Sequence, residues 1–157
     1  MIEFKNLSKE IPYILLRDKY TEALKAGEQC IEAVSISSYN NKINEVDSRF
    51  VNLKIVNNDR FIFFTNYGSS KASAFNSFNQ IAALFYWSSI NCQIRMKAII
   101  KKTSNDYNQN YFYDRSRKKN ALAISSNQSK PIDSYSQVIE NNNKSLKNDD
   151  LKRCPDF

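Results

Sequence analysis

Thr65, Ser69, Ser70 and Lys71 fall close together in "FIFFTNYGSSK" (61–71), where an alternating apolar run breaks into a turn. Hydroxyls, an ammonium and the free N–H groups of a helix starting at Ser69 are the donors that a phosphate takes. Two more cations and an amide lie in strand-like stretches: Arg49 and Lys54 in "SRFVNLK", and Gln93 in "CQIRMKAII". Side chains alternate along a strand, which puts Arg49, Val51 and Leu53 on one face and Phe50, Asn52 and Lys54 on the other. Arg49 opens this strand in the reading and Lys54 closes it. A single charged residue at a strand end is ordinarily just solvated. Five such residues at strand ends (Arg49, Lys54, Thr65, Lys71 and Gln93) read instead as a pocket for an anion.

The elements that must hold these residues are legible as changes of period. Residues 12–27, "PYILLRDKYTEALKAG", read as a helix with Ile14, Leu15, Tyr20 and Leu24 on its apolar face, Pro12 in the opening turn and Gly27 as the stop. Alternating runs at 30–38 and 48–56 follow, the second forming a hairpin with "RFIFFTN" across "NND". A short helix capped by serine begins after Gly68. Two further strands, "IAALFYW" and "CQIRMKAIIKK", are joined by "SSIN", and 104–119 reads as one helix. From Ser134 the chain is polar and Asn-rich, a frayed helix or loop. Short strands with hairpin links and single helices define an α+β chain, mainly β: a small antiparallel barrel with helices packed outside.

Bulk properties narrow the chemistry. A chain of 157 residues fits one domain with its own core. It contains no histidine, and its three cysteines (Cys30, Cys92 and Cys154) are dispersed. Imidazole catalysis is thereby removed, and no metal ligand set is visible. No G-x-G-x-x-G or P-loop motif occurs. The net charge of +7 is spread along the chain, apart from "RSRKK" at 115–119, which favours an anionic small molecule over nucleic acid. With no apolar run of about 18 residues and no signal-like N-terminus, the expectation is a cytoplasmic chain without a membrane span.

The strand R-x-x-x-x-K (49–54), the turn F-x-T-N-x-x-S-x-K (63–71), the strand L-F-x-W (84–87) and the run Y-F-x-x-R…Q-S (111–129) belong together. On them the chain, over about residues 12–157, resembles the pyridoxine/pyridoxamine 5′-phosphate oxidase family of FMN-dependent split-barrel flavoproteins. The resemblance implies one FMN-binding domain over 1–157: an N-terminal helical segment to 28, barrel strands over 30–102, a helical contact segment over 103–132 and a polar tail over 133–157. It implies that Arg49, Phe50, Val51, Asn52, Leu53 and Lys54 lie along the flavin, with Arg49 on its phosphate. Phe64 and Thr65 would contact the flavin, Ser70 and Lys71 would stand at the FMN phosphate, and Gln93 would bond the isoalloxazine. Gln128 and Ser129 would reach FMN across a homodimer interface. Lys54, Tyr111, Arg115 and Lys119 would hold the phosphate of a B6 vitamer, whose C4′ amine or alcohol is oxidised while oxygen reoxidises the flavin. The cofactor does the redox chemistry in such a site, so no catalytic side chain is assigned.

Three departures from the family pattern shape the expectation. Ser70 stands where the family has an arginine, and Lys119 where it has a serine. The sequence ends at "RCPDF", where the family continues with a Trp-Gly-Gly stretch, a further FMN tryptophan and arginine, and an Arg-x-His over the substrate ring. The expected function is therefore an oxidase of this kind, impaired or altered by the missing segment. The rival expectations are a flavin-binding protein without oxidase activity and, more distantly, a basic nucleic-acid binder.

Overall fold

The computed structural model describes residues 1–126, 130–147 and 150–155. By its internal contacts the chain divides into two compact units, Met1–Thr65 with Lys71–Ile100, and Asn66–Ser70 with Lys101–Phe157. The first unit contains β1 (Glu3–Lys5), α1 (Ile11–Lys25), β2 (Ala33–Asn40), β3 (Glu45–Asn57), β4 (Arg60–Phe63), most of α2 (Ser70–Ser77), β5 (Gln80–Trp87) and β6 (Cys92–Ile99). The second contains α3 (Asn105–Asp114), α4 (Arg117–Ser125) and α5 (Tyr135–Leu146).

The strand order is β1-β3-β2-β5-β6, with β4 also on β3. One strand can take three neighbours because β3 is long. Its residues from Glu45 to Asn52 pair antiparallel with β2, and those from Leu53 to Asn57 pair with β4 and, in parallel, with β1. The register slips between Leu53 and Ile55, so Lys54 is an extra residue in the ladder with β4. Such a bulge bends a strand and increases its twist. The expectation of an all-antiparallel barrel is corrected in two respects. Strand β1 is parallel to β3, and among the described residues no ladder closes β6 onto β1 or β4. The α+β class stands.

Alternation buries Val34 and Ile36 of β2, Leu53 of β3, and Ala83, Phe85 and Trp87 of β5 in one core. Helix α1 adds Leu16, Tyr20 and Ala23, spaced i, i+4 and i+7. This corrects the face read from the sequence: Leu15 and Leu24 are 54% and 42% exposed. Gly27, at φ 79°, ends the helix. Its N–H bonds the Leu24 carbonyl and that of Glu28 bonds the Ala23 carbonyl, a pairing that needs a left-handed residue between them. The Trp87 indole donates to the Ile31 carbonyl at 3.0 Å.

In the second unit Ser104 caps α3 and Ser134 caps α5 through side-chain oxygens that accept the N–H groups of Tyr107 and Gln137. The single helix expected over 104–119 is two, broken at Arg115 and Ser116, whose backbones are extended. Residues 151–154, expected in a polar tail, make specific contacts. Leu151 is buried, its carbonyl taking the Asn120 amide at 2.8 Å, while Gln109 bonds the backbone of Lys152 and Cys154.

Tyr20 brings a hydroxyl into the core of the first unit. Its hydroxyl accepts the buried Ile2 N–H at 2.9 Å, and its ring packs edge-on against Phe4 and Trp87. Tyr20→Phe keeps the packing and strands that N–H, so it is expected to destabilise the protein by about 1–3 kcal/mol, measured by urea unfolding.

Candidate functional site

Arg49 lies within β3 rather than at its start, since the strand begins at Glu45. Its guanidinium is held on three sides. One terminal nitrogen donates to the buried Ser38 hydroxyl at 2.6 Å and to the Ile36 carbonyl at 3.4 Å, and the other pairs with Asp47 at 2.5 Å. Lys71, the second residue of α2, is half-buried. Burial, and after it the nearby positive charge of Arg49, hold its ammonium below the usual lysine range. No carboxylate among the described residues pairs with it. Two cations thus share a neighbourhood in the first unit, and one of them lacks a counter-charge.

The turn before Lys71 is built differently from a simple serine cap. Asn66 Oδ1 accepts the Gly68 N–H at 2.6 Å, and the buried Ser69 hydroxyl donates to the Asn66 carbonyl at 2.7 Å. The helix therefore starts at Ser70, not Ser69, and Ser70 is exposed. A Cβ on Gly68 would stand 3.1 Å from Asn66 Oδ1, so a larger residue would crowd this turn. Phe64 and Thr65 are half-buried between β4 and the turn.

The other strand residues divide as alternation requires. Val51 is half-buried and Leu53 buried on the core face, while Phe50 and Asn52 are exposed on the outer face. Lys54 breaks the pattern because it is the bulged residue. It lies inside β3 rather than at its end, and its ammonium bonds Glu32 at 2.8 Å. Glu32 also accepts the N-terminal ammonium at 2.8 Å. Gln93 is exposed on β6, opposite Tyr86 of β5.

In the second unit Tyr111 is half-buried on α3, and Arg115 is the residue that ends it. Arg115 donates to the Lys119 carbonyl at 3.2 Å and lies 5.2 Å from the Phe112 ring centroid. Lys119 is exposed in the first turn of α4, whose opening residues Arg117, Lys118 and Lys119 are all cationic. Gln128 and Ser129 lie outside the described residues.

Residues that orient these cations escaped the sequence reading. Ser38 had one signal, a hydroxyl on the β2 face that otherwise carries Val34 and Ile36. Asp47 and Glu32 had none, because an acidic residue in an exposed strand looks solvated until its partner is known.

No protein-family model matches the chain. Among solved structures the fold is shared with PhzG from Burkholderia lata 383, crystallised with tetrahydrophenazine-1-carboxylic acid (TM-score 0.79, 20% identity, 86% of this chain and 66% of that one). It is shared also with a pyridoxamine 5′-phosphate oxidase-related, FMN-binding protein from Nostoc punctiforme PCC 73102 (TM-score 0.65, 12% identity, 83% and 72%). The architecture is therefore the fold that these two proteins share. In sequence the chain is 34% identical over 125 residues to the pyridoxine/pyridoxamine 5′-phosphate oxidase of Colwellia psychrerythraea, covering 80% of this chain and 57% of that protein. It is 34% identical over 121 residues to the chloroplastic enzyme 1 of Arabidopsis thaliana, covering 77% of this chain and 23% of that one. The chain is a relative of the pyridoxine/pyridoxamine 5′-phosphate oxidases, and it spans little more than half the length of the first of these.

Burial works against the charge on Glu32, but hydrogen bonds from Lys54 and the N-terminal ammonium, with their positive charges, outweigh it and hold the carboxyl below the usual range. A carboxyl depressed in the folded state adds stability above its unfolded pKa of about 4.3 and loses it as pH falls through the folded value. Glu32→Gln should therefore be less stable than the parent at pH 7. The gap should close progressively as urea titrations are moved to more acid pH, and a gap that does not change with pH would show that the pair contributes nothing.

Proposed function

We propose that the chain is the FMN-binding part of an oxidoreductase that acts on a phosphorylated B6 vitamer, oxidising its C4′ amine or alcohol. The observation that carries this reading is the pair Arg49 and Lys71, oriented cations of which the second has no carboxylate. A like-charged pair of this kind is unfavourable until an anion joins it, and the donors present suit a phosphate monoester. Arg49 offers a guanidinium already fixed by Ser38 and Asp47, and Lys71 a point charge. Thr65 and Ser70 add hydroxyls, and the first turn of α2 adds free N–H groups.

FMN, when bound, would accept the hydride from C4′ and pass electrons on to oxygen. The protein's part is to bind, orient and exclude water. Phe50, Val51, Asn52 and Leu53 would run beside the flavin, with Phe64 in contact and Gln93 as a donor to the ring. For the substrate's phosphate the reading keeps the residues that the resemblance implies, Lys54, Tyr111, Arg115 and Lys119. Lys54 must then exchange Glu32 for that phosphate. That competition favours a second reading, a flavin-binding protein without oxidase activity. Release of hydrogen peroxide with pyridoxal 5′-phosphate from either phosphorylated vitamer distinguishes the two.

The same reading makes the protein a homodimer, with Gln128 and Ser129 serving the partner's cofactor. One feature of the first unit supports the dimer. It is the outer face of the sheet, where Val46, Phe50 and Tyr86 are 72%, 74% and 57% exposed and Leu84 is half-buried beside them. Light scattering at micromolar concentration should report twice 18.2 kDa, and a monomer would overturn the dimer. No helix among the described residues is long and apolar enough to cross a membrane.

Flavin fluorescence titration should show FMN bound more tightly than riboflavin. Lys71→Met should weaken FMN by about 1.5–3 kcal/mol, the range for hydrogen bonds to charged groups, and leave riboflavin unchanged. The same variant, freed of a half-buried charge beside Arg49, should melt at a higher temperature than the parent when both lack flavin. Equal affinity of the parent for the two flavins would overturn the phosphate assignment.

A further inference from the structure

The turn at Asn66–Ser70, which leads directly into Lys71, groups by its contacts with α3–α5 and not with the strands on either side of it in sequence. Tyr67 is what ties it there. Its hydroxyl accepts a hydrogen bond from the Asn108 side-chain amide at 3.2 Å. The other end of that amide is held too, its oxygen accepting the Thr103 hydroxyl at 2.5 Å. The Lys102 ammonium lies 4.8 Å from the centroid of the Tyr67 ring, a separation at which a cation is attracted to the aromatic face. Asn108 is itself anchored in the first turn of α3, its N–H bonding the Ser104 carbonyl at 3.1 Å. The turn therefore has an internal lock, Asn66 with Gly68 and Ser69, and an external one through Tyr67.

Helix α3 carries more than this anchor. Asn108, Tyr111 and Arg115 follow one another at i, i+3 and i+7, which is the spacing of one helix face. One end of α3 fixes the turn before Lys71, and the other presents the tyrosine and arginine assigned to the substrate's phosphate.

We propose that Tyr67 is a positioning residue that locks the turn before Lys71 to the first turn of α3. The assignment of Lys71 to a phosphate rests on the functional reading above, whereas the lock itself does not. A preorganised turn presents its donors without a further ordering cost on binding. Loosening it should weaken recognition of the phosphate and spare the rest of the flavin.

Two measurements on Tyr67→Phe, which keeps the ring and removes only the hydroxyl, test this. Amide hydrogen exchange should speed up at 67–71 and stay unchanged in β2 and β5. The preference for FMN over riboflavin should fall about two- to tenfold, the range for one neutral hydrogen bond, with riboflavin affinity unaltered. Asn108→Ala should reproduce both effects, and Tyr67→Phe combined with Asn108→Ala should go no further than either alone. Unchanged exchange at 67–71 overturns the lock, whatever the flavin result. Faster exchange with an intact FMN preference overturns its role in phosphate recognition. A parent protein with no FMN preference sinks the functional reading instead, and the exchange data then decide the lock alone. Should Tyr67→Phe not fold, Lys102→Met removes the cation over the ring and is read by the same two measurements.

Discussion

A strand that belongs to two ladders has to bend between them, and in this chain the bend comes at one residue. Up to Asn52, β3 lies in the sheet with β2, β5 and β6; beyond it, the same strand is flanked by β1 and β4. Lys54 is the residue without a partner in the ladder with β4 at that corner, and past it the alternation gives way, with Ile55 and Val56 both buried. Arg49 and Lys54 are five positions apart yet differ completely in setting. One is embedded in the regular ladder and braced by β2 and by its own neighbour Asp47. The other, at the irregularity, reaches Glu32 just before β2.

The electrostatics follow from this layout. Arg49 is satisfied within the protein, Lys54 is satisfied by a carboxylate that another anion could displace, and Lys71 pairs with no carboxylate among the described residues. These are three grades of readiness for an anion along one short path of chain. Proteins tend to hold perturbed charges where they act. The gradation gives the functional reading a physical basis that does not depend on the relatives.

What could be read from the sequence was set by periodicity. The alternation of 48–56 and 81–87 and the turn at 64–71 gave the strands, the hairpin and the turn that leads into α2. The bulge at Lys54 was invisible, because a period of two does not announce an added residue. Strand β1 was missed because three residues carry too little pattern and its partner is parallel. The break between α3 and α4 has no glycine or proline to mark it. On α1 the large side chains of Leu15 and Leu24 misled by one position, since the buried residues are their neighbours Leu16 and Ala23. For the site, residue types pointed to a phosphate, but the braces Ser38, Asp47, Glu32 and Asn108 emerged only when the chain was folded.

The open end of the sheet bears on whether another strand can be added to it. Among the described residues β6 pairs only with β5, so its far side presents peptide groups that another extended segment could join. Arg95 and Lys97 stand exposed on alternate positions of that strand, and long cations there make such an addition unfavourable. Part of the positive charge that first suggests a polyanion as partner therefore has a humbler use. It keeps one copy of the strand from being extended by the next.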